Sequence, residues 1–505
     1  MPTATFTNFL DRSRTLSDVR AASSLLHWDQ ETYMPDGAAA VRAEQSATLD
    51  TLAHQMSTSG EYAALMETVR EEAERGELEQ WEQAVVKESY REFERSRKLP
   101  DEFVREMSRA QSLAHHAWKK GREQQDFGIF APSLEQIVAL KRQAAEYYGY
   151  TENPYDALID QYEPGMTAAE LRPVFDRLRE GTGALLQKIA GFGAAPDDSV
   201  LFTDFDADQQ LAFSKKIIQQ LGFDFNIGRV DLSAHPFCTS FGSSDVRLTT
   251  RIFRNDLRSC LFGLMHEAGH GMYEQGFAPH LIRTPLAGGA SMGIHESQSL
   301  LWENMVGRSE EFWSWAFPQL AATFPTQLVG LDSFSFFQSI NVMKPSFIRV
   351  EADELTYNMH IILRFQIEDD LINGRMSVAD IPAVWNQKSQ EYLGIVPPND
   401  SLGCLQDIHW SFGGFGYFAS YTLGKLYAAM FFNRAAEQMP ELRQQIARGE
   451  FGNLLGWLRE NLHQWGKAKN ASQLVNDICG RPLTETDFLA YLDRKVERVY
   501  GGNAE

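Results

Sequence analysis

The sequence predicts a mainly α-helical fold with one small β-sheet. Three stretches, 61–94, 101–124 and 134–147, alternate apolar and charged residues at three- and four-residue spacing, which is the pattern of a helix with one buried face. In the stretch 245–253 apolar and polar residues alternate one by one, which indicates a strand. No repeat and no Ser/Gly linker divides the chain, so we expect residues 1–505 to form a single domain of helical lobes.

The first 190 residues or so contain the clearest signals for where helices begin and end. Pro100 and Pro132 each mark a helix start, because proline fits the first turn of a helix without losing a hydrogen bond. The stretch 153–167 carries two prolines and a glycine, and we interpret it as a loop. It is followed by a predicted helix over 168–192.

The rest of the chain returns to helices after a short change of pattern. The helical spacing is interrupted near 200–205 and again at the predicted strand. A mostly apolar, proline-free run over 257–272 then predicts a helix. Helices are expected again beyond residue 296, with loops at 394–407 and 413–416.

Composition and charge exclude several classes of protein. The net charge is −21, which disfavours binding to nucleic-acid phosphates or to anionic membranes. No run of 18 apolar residues occurs, and the N-terminal stretch lacks the apolar core of a signal peptide. Four cysteines in 505 residues are too few for a disulfide framework. We therefore expect a soluble cytoplasmic protein with no nucleic-acid or membrane partner.

The motif H-E-x-x-H, formed by His266, Glu267 and His270, is the strongest chemical signal in the chain. Positions four residues apart lie on the same face of a helix, so the two imidazoles can bind one metal ion with Glu267 beside it as a base. This arrangement is typical of zinc peptidases. The alternative is a helix that happens to carry two unrelated histidines.

A catalytic zinc site needs a third protein ligand and one open position for water. The position that would hold a third histidine in an extended motif is Gly276. Glu274 lies eight residues after His266, about 12 Å further along the same helix, which is too far to share the ion. We favour Glu296, at the start of a following helix, as the third ligand. His295 is the alternative ligand, although we expect it to contact a ligand or the substrate.

Several ordered motifs accompany the H-E-x-x-H helix. They are His235-Pro236-Phe237, Asp245-Val246-Arg247-Leu248-Thr249, His295-Glu296-Ser297-Gln298, Ile348-Arg349-Val350-Glu351-Ala352-Asp353 and Gly403-Cys404-Leu405-Gln406-Asp407-Ile408-His409-Trp410. Together with the helix they resemble the carboxypeptidase Taq family of zinc metallocarboxypeptidases. Stretches at 28–35 and 163–167 are also similar to the family, so the resemblance runs from about residue 10 to the C-terminal region.

The resemblance implies a helical, saddle-like fold related to neurolysin and angiotensin-converting enzyme, with a deep groove and a small sheet beside the active site. It implies a homodimer that releases C-terminal residues from peptides with broad specificity and a poor rate after proline. It implies one Zn²⁺ per chain bound by His266, His270 and Glu296, with Glu267 as the catalytic acid and base. These ligand types also accept Co²⁺. One departure is local: residues 419–420 are Ala-Ser, where the family pattern leads us to expect Pro-Thr.

Two side chains are candidates for stabilising the oxyanion of the tetrahedral intermediate. His409 and Tyr417 can each donate a hydrogen bond from a loop that we expect to face the metal-binding helix. The alternative is that both are packing residues, which is common for buried aromatic side chains.

Three side chains are candidates for binding the substrate. Arg349 is the first choice for the terminal carboxylate, because a guanidinium binds a carboxylate through two parallel hydrogen bonds. The alternative is an ion pair with Glu351 or Asp353 on its own element. His235 either lines the groove or belongs to a turn fixed by the following proline. His295 is placed on the substrate side or against a metal ligand.

Three other functions remain to be distinguished from the carboxypeptidase. They are an endo-acting oligopeptidase with the same metal site, an inactive peptide-binding scaffold that retains zinc, and a helical structural protein without metal. The intact Glu267 argues against the inactive scaffold, since loss of that base is the simplest sign of a dead peptidase.

Overall fold

A computed structural model describes residues 2–502 of the chain. It is mainly helical, with 68% of residues in helices and one three-stranded sheet, which confirms the predicted fold class. The α-helices are α1 Ala4–Thr32, α2 Ala39–Thr58, α3 Gly60–Glu74, α4 Gln80–Lys98, α5 Asp101–Gln124, α6 Ala131–Tyr148, α7 Pro154–Ile159, α8 Ala168–Gly191, α9 Ala207–Leu221, α10 Leu257–Glu274, α11 Met292–Leu300, α12 Glu310–Thr323, α13 Ser333–Ile340, α14 Tyr357–Ile372, α15 Ile381–Leu393, α16 Ala419–Gln438, α17 Leu442–Ala447, α18 Gly452–Asn461, α19 Ala471–Cys479 and α20 Thr486–Tyr500. The strands are β1 Gly228–Leu232, β2 Cys238–Ser240 and β3 Val246–Thr250.

Short helical turns of other types connect these elements. A π-helical segment, Leu301–Val306, directly continues α11. The 3₁₀ turns are Asp36–Ala38, Phe127–Ile129, Ser199–Phe202, Pro279–Leu281, Arg349–Glu351, Val378–Asp380, His409–Phe412 and His463–Ala468.

The small sheet leads directly into the helix that carries the metal motif. Strand β3 lies in the middle, paired in parallel with β1 and antiparallel with β2. The chain leaves β3 and enters α10, whose start is capped by the Asp256 side chain accepting from the backbone N–H of Arg258. Such a cap satisfies one of the free donors at a helix N-terminus. The sheet and this cap therefore fix where α10 begins.

Among the described residues, the apolar side chains form two buried clusters. The larger cluster extends from α5 to α20 and includes most of α10 and α16. A smaller one joins α1, α3 and α4 around Phe6, Phe9 and Met66, with Leu281 and Leu286 added from the loop after α10. The N-terminal helices thus have a core of their own that reaches the metal-motif region through this loop.

The local predictions agree with the structure in most of the chain. The loop at 153–167 contains the short helix α7, and the predicted helix over 61–94 is interrupted between α3 and α4. The cause of the interruption is Gly76, whose φ of 72° lies in the left-handed region and ends α3. The change of pattern at 200–205 belongs to a 3₁₀ turn, and the strand predicted over 245–253 is shorter, at Val246–Thr250.

Within residues 2–502, none of the helices combines the length and the apolar character needed to span a bilayer.

Candidate metal centre and active site

The structure brings His266, His270 and Glu296 together. One ligand atom from each lies within 4.8 Å of the other two. The Nε2 atoms of His266 and His270 lie 3.5 and 3.4 Å from Glu296 Oε2. Two ligands at about 2.1 Å from a tetrahedral zinc ion are about 3.4 Å apart, so the three side chains fit such an ion.

Two glycines allow the ligand helices to come this close. A Cβ atom on Gly269, between the two histidines of α10, would lie 2.6 Å from the Cα atom of Ser299 in α11. On the other side, a Cβ atom on Gly424 of α16 would lie 2.6 Å from Cγ of Glu296. Because neither glycine has a side chain, α11 fits between α10 and α16 and holds Glu296 against the histidines.

Each ligand histidine is oriented through its other ring nitrogen. His266 Nδ1 lies 2.9 Å from Glu303 Oε2, and His270 Nδ1 lies 3.0 Å from the carbonyl oxygen of His295. A carboxylate and a carbonyl can only accept, so both Nδ1 atoms donate. In the neutral imidazoles that bind a metal ion, both Nε2 atoms then carry a lone pair. Those lone pairs face Glu296. The His295 ring packs against His270, with ring centroids 4.5 Å apart.

Glu303 is a site residue that the sequence analysis missed. It lies in the π-helical segment after α11, a type of distortion that often occurs at functional sites. Its second oxygen accepts from Arg308 Nη2 at 3.2 Å, and the Arg308 guanidinium lies 4.0 Å from the centroid of the Phe262 ring. The signal was present: Glu303 follows Glu296 by seven residues, which places both on one helix face.

Burial and charge act in opposite directions on the carboxylates of the site. Burial raises the pKa of Glu267 to about 7. Burial also acts to raise the pKa of Glu296, but the adjacent His266 and His270 outweigh it and hold this pKa well below its usual value. The environment therefore distinguishes a carboxyl that can carry a proton near neutral pH from one that stays ionised.

Arg349 is buried, and its partner is Asp407 rather than Glu351 or Asp353. Its Nε and Nη2 atoms lie 3.1 and 2.7 Å from Asp407 Oδ1, and its Nη1 donates to Tyr357 Oη at 2.6 Å. Arg364 Nη2 lies 2.6 Å from the other oxygen of Asp407. Two guanidinium groups thus share one carboxylate, which leaves this pair of arginines with a net positive charge.

His409 and Tyr417 belong to an aromatic cluster close to Arg349. His409 is buried, its ring centroid lies 5.1 Å from that of Tyr417, and its Nε2 lies 3.4 Å from Tyr421 Oη. Burial lowers the pKa of His409 to about 4, so its imidazole is neutral at pH 7. Burial and, to a smaller extent, the charge of Glu296 raise the pKa of both tyrosines. Sequence reasoning missed Tyr421, which carries a second hydroxyl in this cluster.

His235 and the Ala-Ser departure lie in less constrained places. His235 is exposed in the turn before β2, where Ser233 Oγ donates to its carbonyl oxygen at 2.6 Å. Ala419 and Ser420 form the first turn of α16. Proline also fits the first turn of a helix, so the departure does not change the type of element at this point.

Comparison with known proteins identifies the family. A family model described as carboxypeptidase Taq (M32) metallopeptidase matches residues 8–496. This chain belongs to that family. It is therefore a hydrolase, and its activity is that of a metallocarboxypeptidase.

Relatives of similar length support the same assignment. Carboxypeptidase 1 of Bacillus subtilis is 39% identical over 492 residues, covering 97% of this chain and 98% of that protein. Thermostable carboxypeptidase 1 of Thermus thermophilus is 38% identical over 514 residues, covering 99% of this chain and 100% of that protein. The crystal structure of an M32 carboxypeptidase from Deinococcus radiodurans superposes with a TM-score of 0.96 at 38% identity and covers 99% of this chain and 100% of that one.

Proposed function

We propose that this chain is a zinc-dependent carboxypeptidase that removes C-terminal residues from peptides with broad specificity, and acts slowly after proline. The observation that carries the proposal is the convergence of three ligand atoms within 4.8 Å of one another. Two come from the helix that also bears Glu267, and each lies about as far from the Glu296 oxygen as two ligands of one zinc ion do. We further propose a cytoplasmic homodimer with one Zn²⁺ per chain.

The residues that would hold the ion are His266, His270 and Glu296. Two imidazoles and one carboxylate are a donor set that zinc accepts in peptidases, and Co²⁺ accepts it as well. When bound, the ion supplies Lewis-acid chemistry, which polarises a carbonyl and makes a water molecule more acidic. Glu303 and the His295 carbonyl accept from the Nδ1 atoms, so that Nε2 of each neutral imidazole is the nitrogen available to the ion.

Glu267 is the proposed general base and general acid. It follows His266 directly on α10 and is buried, so it lies beside the ligand atoms without being one of them. It accepts a proton from the attacking water and passes that proton to the nitrogen of the leaving residue. His409 and Tyr417 are the proposed hydrogen-bond donors to the oxyanion, as a neutral imidazole and a protonated phenol.

Arg349 is the proposed partner of the substrate's terminal carboxylate. Arg349 and Arg364 together carry one more positive charge than Asp407 neutralises, and a second carboxylate would complete the balance. His235, exposed before the edge strand β2, is the candidate for contact with substrate residues further from the cut bond. His295 is assigned to the metal ligand His270 rather than to the substrate.

The decisive experiment pairs metal analysis with mass spectrometry of a digested peptide. The protein is expected to contain about one zinc per chain, to shorten a free-acid peptide one residue at a time, and to leave the C-terminally amidated form of that peptide intact. Equal cleavage of acid and amide would indicate an endopeptidase, and absence of any stoichiometric metal would overturn the site.

Two variants separate catalysis from binding. Glu267→Gln should lose most of its turnover while it still binds zinc, because one general base contributes about 10²–10⁴-fold. The matched control is Glu450→Gln, an exposed glutamate paired with Arg448. Unchanged turnover in Glu267→Gln would contradict the proposed role.

A further inference from the structure

Glu274, the last residue of α10, reaches the metal centre through another side chain. Its Oε1 lies 2.8 Å from His295 Nε2, and His295 Nδ1 lies 2.7 Å from His270 Nδ1. The three side chains thus form a continuous row from a carboxylate to the far side of a proposed metal ligand. His270 Nε2, at the end of this row, lies 3.4 Å from Glu296 Oε2.

The chemistry of the three groups fixes where the protons lie. A carboxylate can only accept a hydrogen bond, so His295 Nε2 carries the hydrogen that it donates to Glu274. His270 Nδ1 carries the hydrogen that it donates to the His295 carbonyl oxygen, which can only accept. His295 Nδ1, 2.7 Å from the same nitrogen, must therefore present its lone pair and share that hydrogen. His270 then has no hydrogen on Nε2, which is the form that binds a metal ion.

We propose that Glu274 and His295 are positioning residues that set the tautomer and the ring orientation of His270. The inference rests on the proposed metal site. The two ligand histidines are then oriented in different ways, His266 by the carboxylate of Glu303 and His270 by a carboxylate acting through a second imidazole. Hydrogen-bond partners of metal ligands raise ligand basicity and restrict ring rotation.

The His295 ring is held in place for this role. The Tyr273 ring lies against it, with centroids 5.4 Å apart, and Gly289 also packs close to it. A Cβ atom on Gly289 would lie 2.8 Å from His295 Cδ2, so this position has room only for glycine when the ring is in place. The row of side chains is therefore fixed by packing as well as by hydrogen bonds.

The test measures the zinc dissociation constant of the full-length protein by competition with a chelator. Glu274→Ala and His295→Phe should each weaken zinc binding by roughly 10–100-fold, the usual effect of losing a partner of a metal ligand. Glu274→Gln keeps an acceptor oxygen and should fall between Glu274→Ala and the unchanged protein. Glu450→Gln serves as the control and should bind zinc as the unchanged protein does.

A second pair of variants displaces the ring without removing a functional group. Gly289→Ala should weaken zinc binding because its methyl group pushes the His295 ring aside. Gly288→Ala is the matched control, since its methyl group would meet only the flexible end of Lys467, 3.1 Å away. The visible spectrum of the Co²⁺-loaded protein should shift with Gly289→Ala and stay unchanged with Gly288→Ala. This pair also carries the test if Glu274→Ala or His295→Phe fails to fold.

The outcomes separate this inference from the metal site itself. The His295 carbonyl oxygen, 3.0 Å from the same nitrogen, is present in every variant. If it alone orients His270, the variants will bind zinc as tightly as the unchanged protein, and the inference is overturned while the metal site stands. If the unchanged protein binds no zinc, the metal site fails and the inference fails with it.

Discussion

Replacing Gly269 with alanine should separate the two helices that bring the metal ligands together. The new methyl carbon would collide with the carbonyl oxygen of Gln298 and would lie 2.6 Å from Ser299 Cα, where ordinary contacts begin at 3.4 Å. Relieving the contact with Ser299 alone needs at least about 0.8 Å of movement between backbone atoms of α10 and α11, from 2.6 to 3.4 Å. Zinc–ligand distances tolerate only about 0.2 Å. We expect zinc affinity to fall at least about tenfold and stability by about 1–3 kcal/mol.

Chelator competition and thermal unfolding measure these two effects. The matched control is Gly263→Ala on the same helix, where an added Cβ atom meets nothing within 4 Å. Alanine favours a helix over glycine by about 0.5–1 kcal/mol, so this control should be neutral or slightly stabilised. If Gly269→Ala matches Gly263→Ala in both zinc affinity and Tm, the close approach of α10 and α11 does not set the spacing of the ligands.

Three further results are expected. Removing the metal with a chelator should abolish peptidase activity and lower the Tm, because an ion that binds only the folded state stabilises it. Adding zinc back should restore both activity and Tm. Peptidase activity that survives metal removal would contradict the metal mechanism. Tyr417→Phe should lower kcat/KM by about 10²–10³-fold if its hydroxyl stabilises the oxyanion, whereas an unchanged kcat/KM would leave it a packing residue. Burial raises the pKa of Glu368 to about 7 from 4.5, so the folded protein keeps a proton there that the unfolded chain loses, and stability falls as pH rises through this range. Glu368→Gln should remove this part of the pH dependence of the Tm, measured against Glu450→Gln; an unaltered dependence would mean that Glu368 is already ionised.

The metal ligands were accessible from the sequence because their positions follow from local geometry. A spacing of four residues places His266 and His270 on one face of any helix. The predicted helix over 257–272 lies within the observed α10, Leu257–Glu274. Glu296 followed from the need for a third ligand on a separate, packed helix, and the structure brings it within reach of both histidines.

The surroundings of the ligands depend on contacts that local patterns do not encode. The partner of Arg349 is Asp407, 58 residues away, although two acids lie within four positions of the arginine. Its identity depends on how the loop before the His409 turn packs onto the rest of the fold. Tyr421 and Glu303 were missed for the same reason, since each acts through a neighbour that only the folded chain supplies.

The wide turns of Leu301–Val306 have a consequence for how this helix tolerates changes in length. A π-helical segment holds one residue more than the α-helix that would replace it. Deleting one residue between Glu296 and Glu303 would let the backbone relax to the commoner hydrogen-bonding frame. Residues beyond the segment would keep their places, but Glu303 lies inside it and would lose the position from which its carboxylate reaches His266 Nδ1. The π-helical geometry thus holds Glu303 where it contacts His266, and a shorter, regular α-helix would lose that contact.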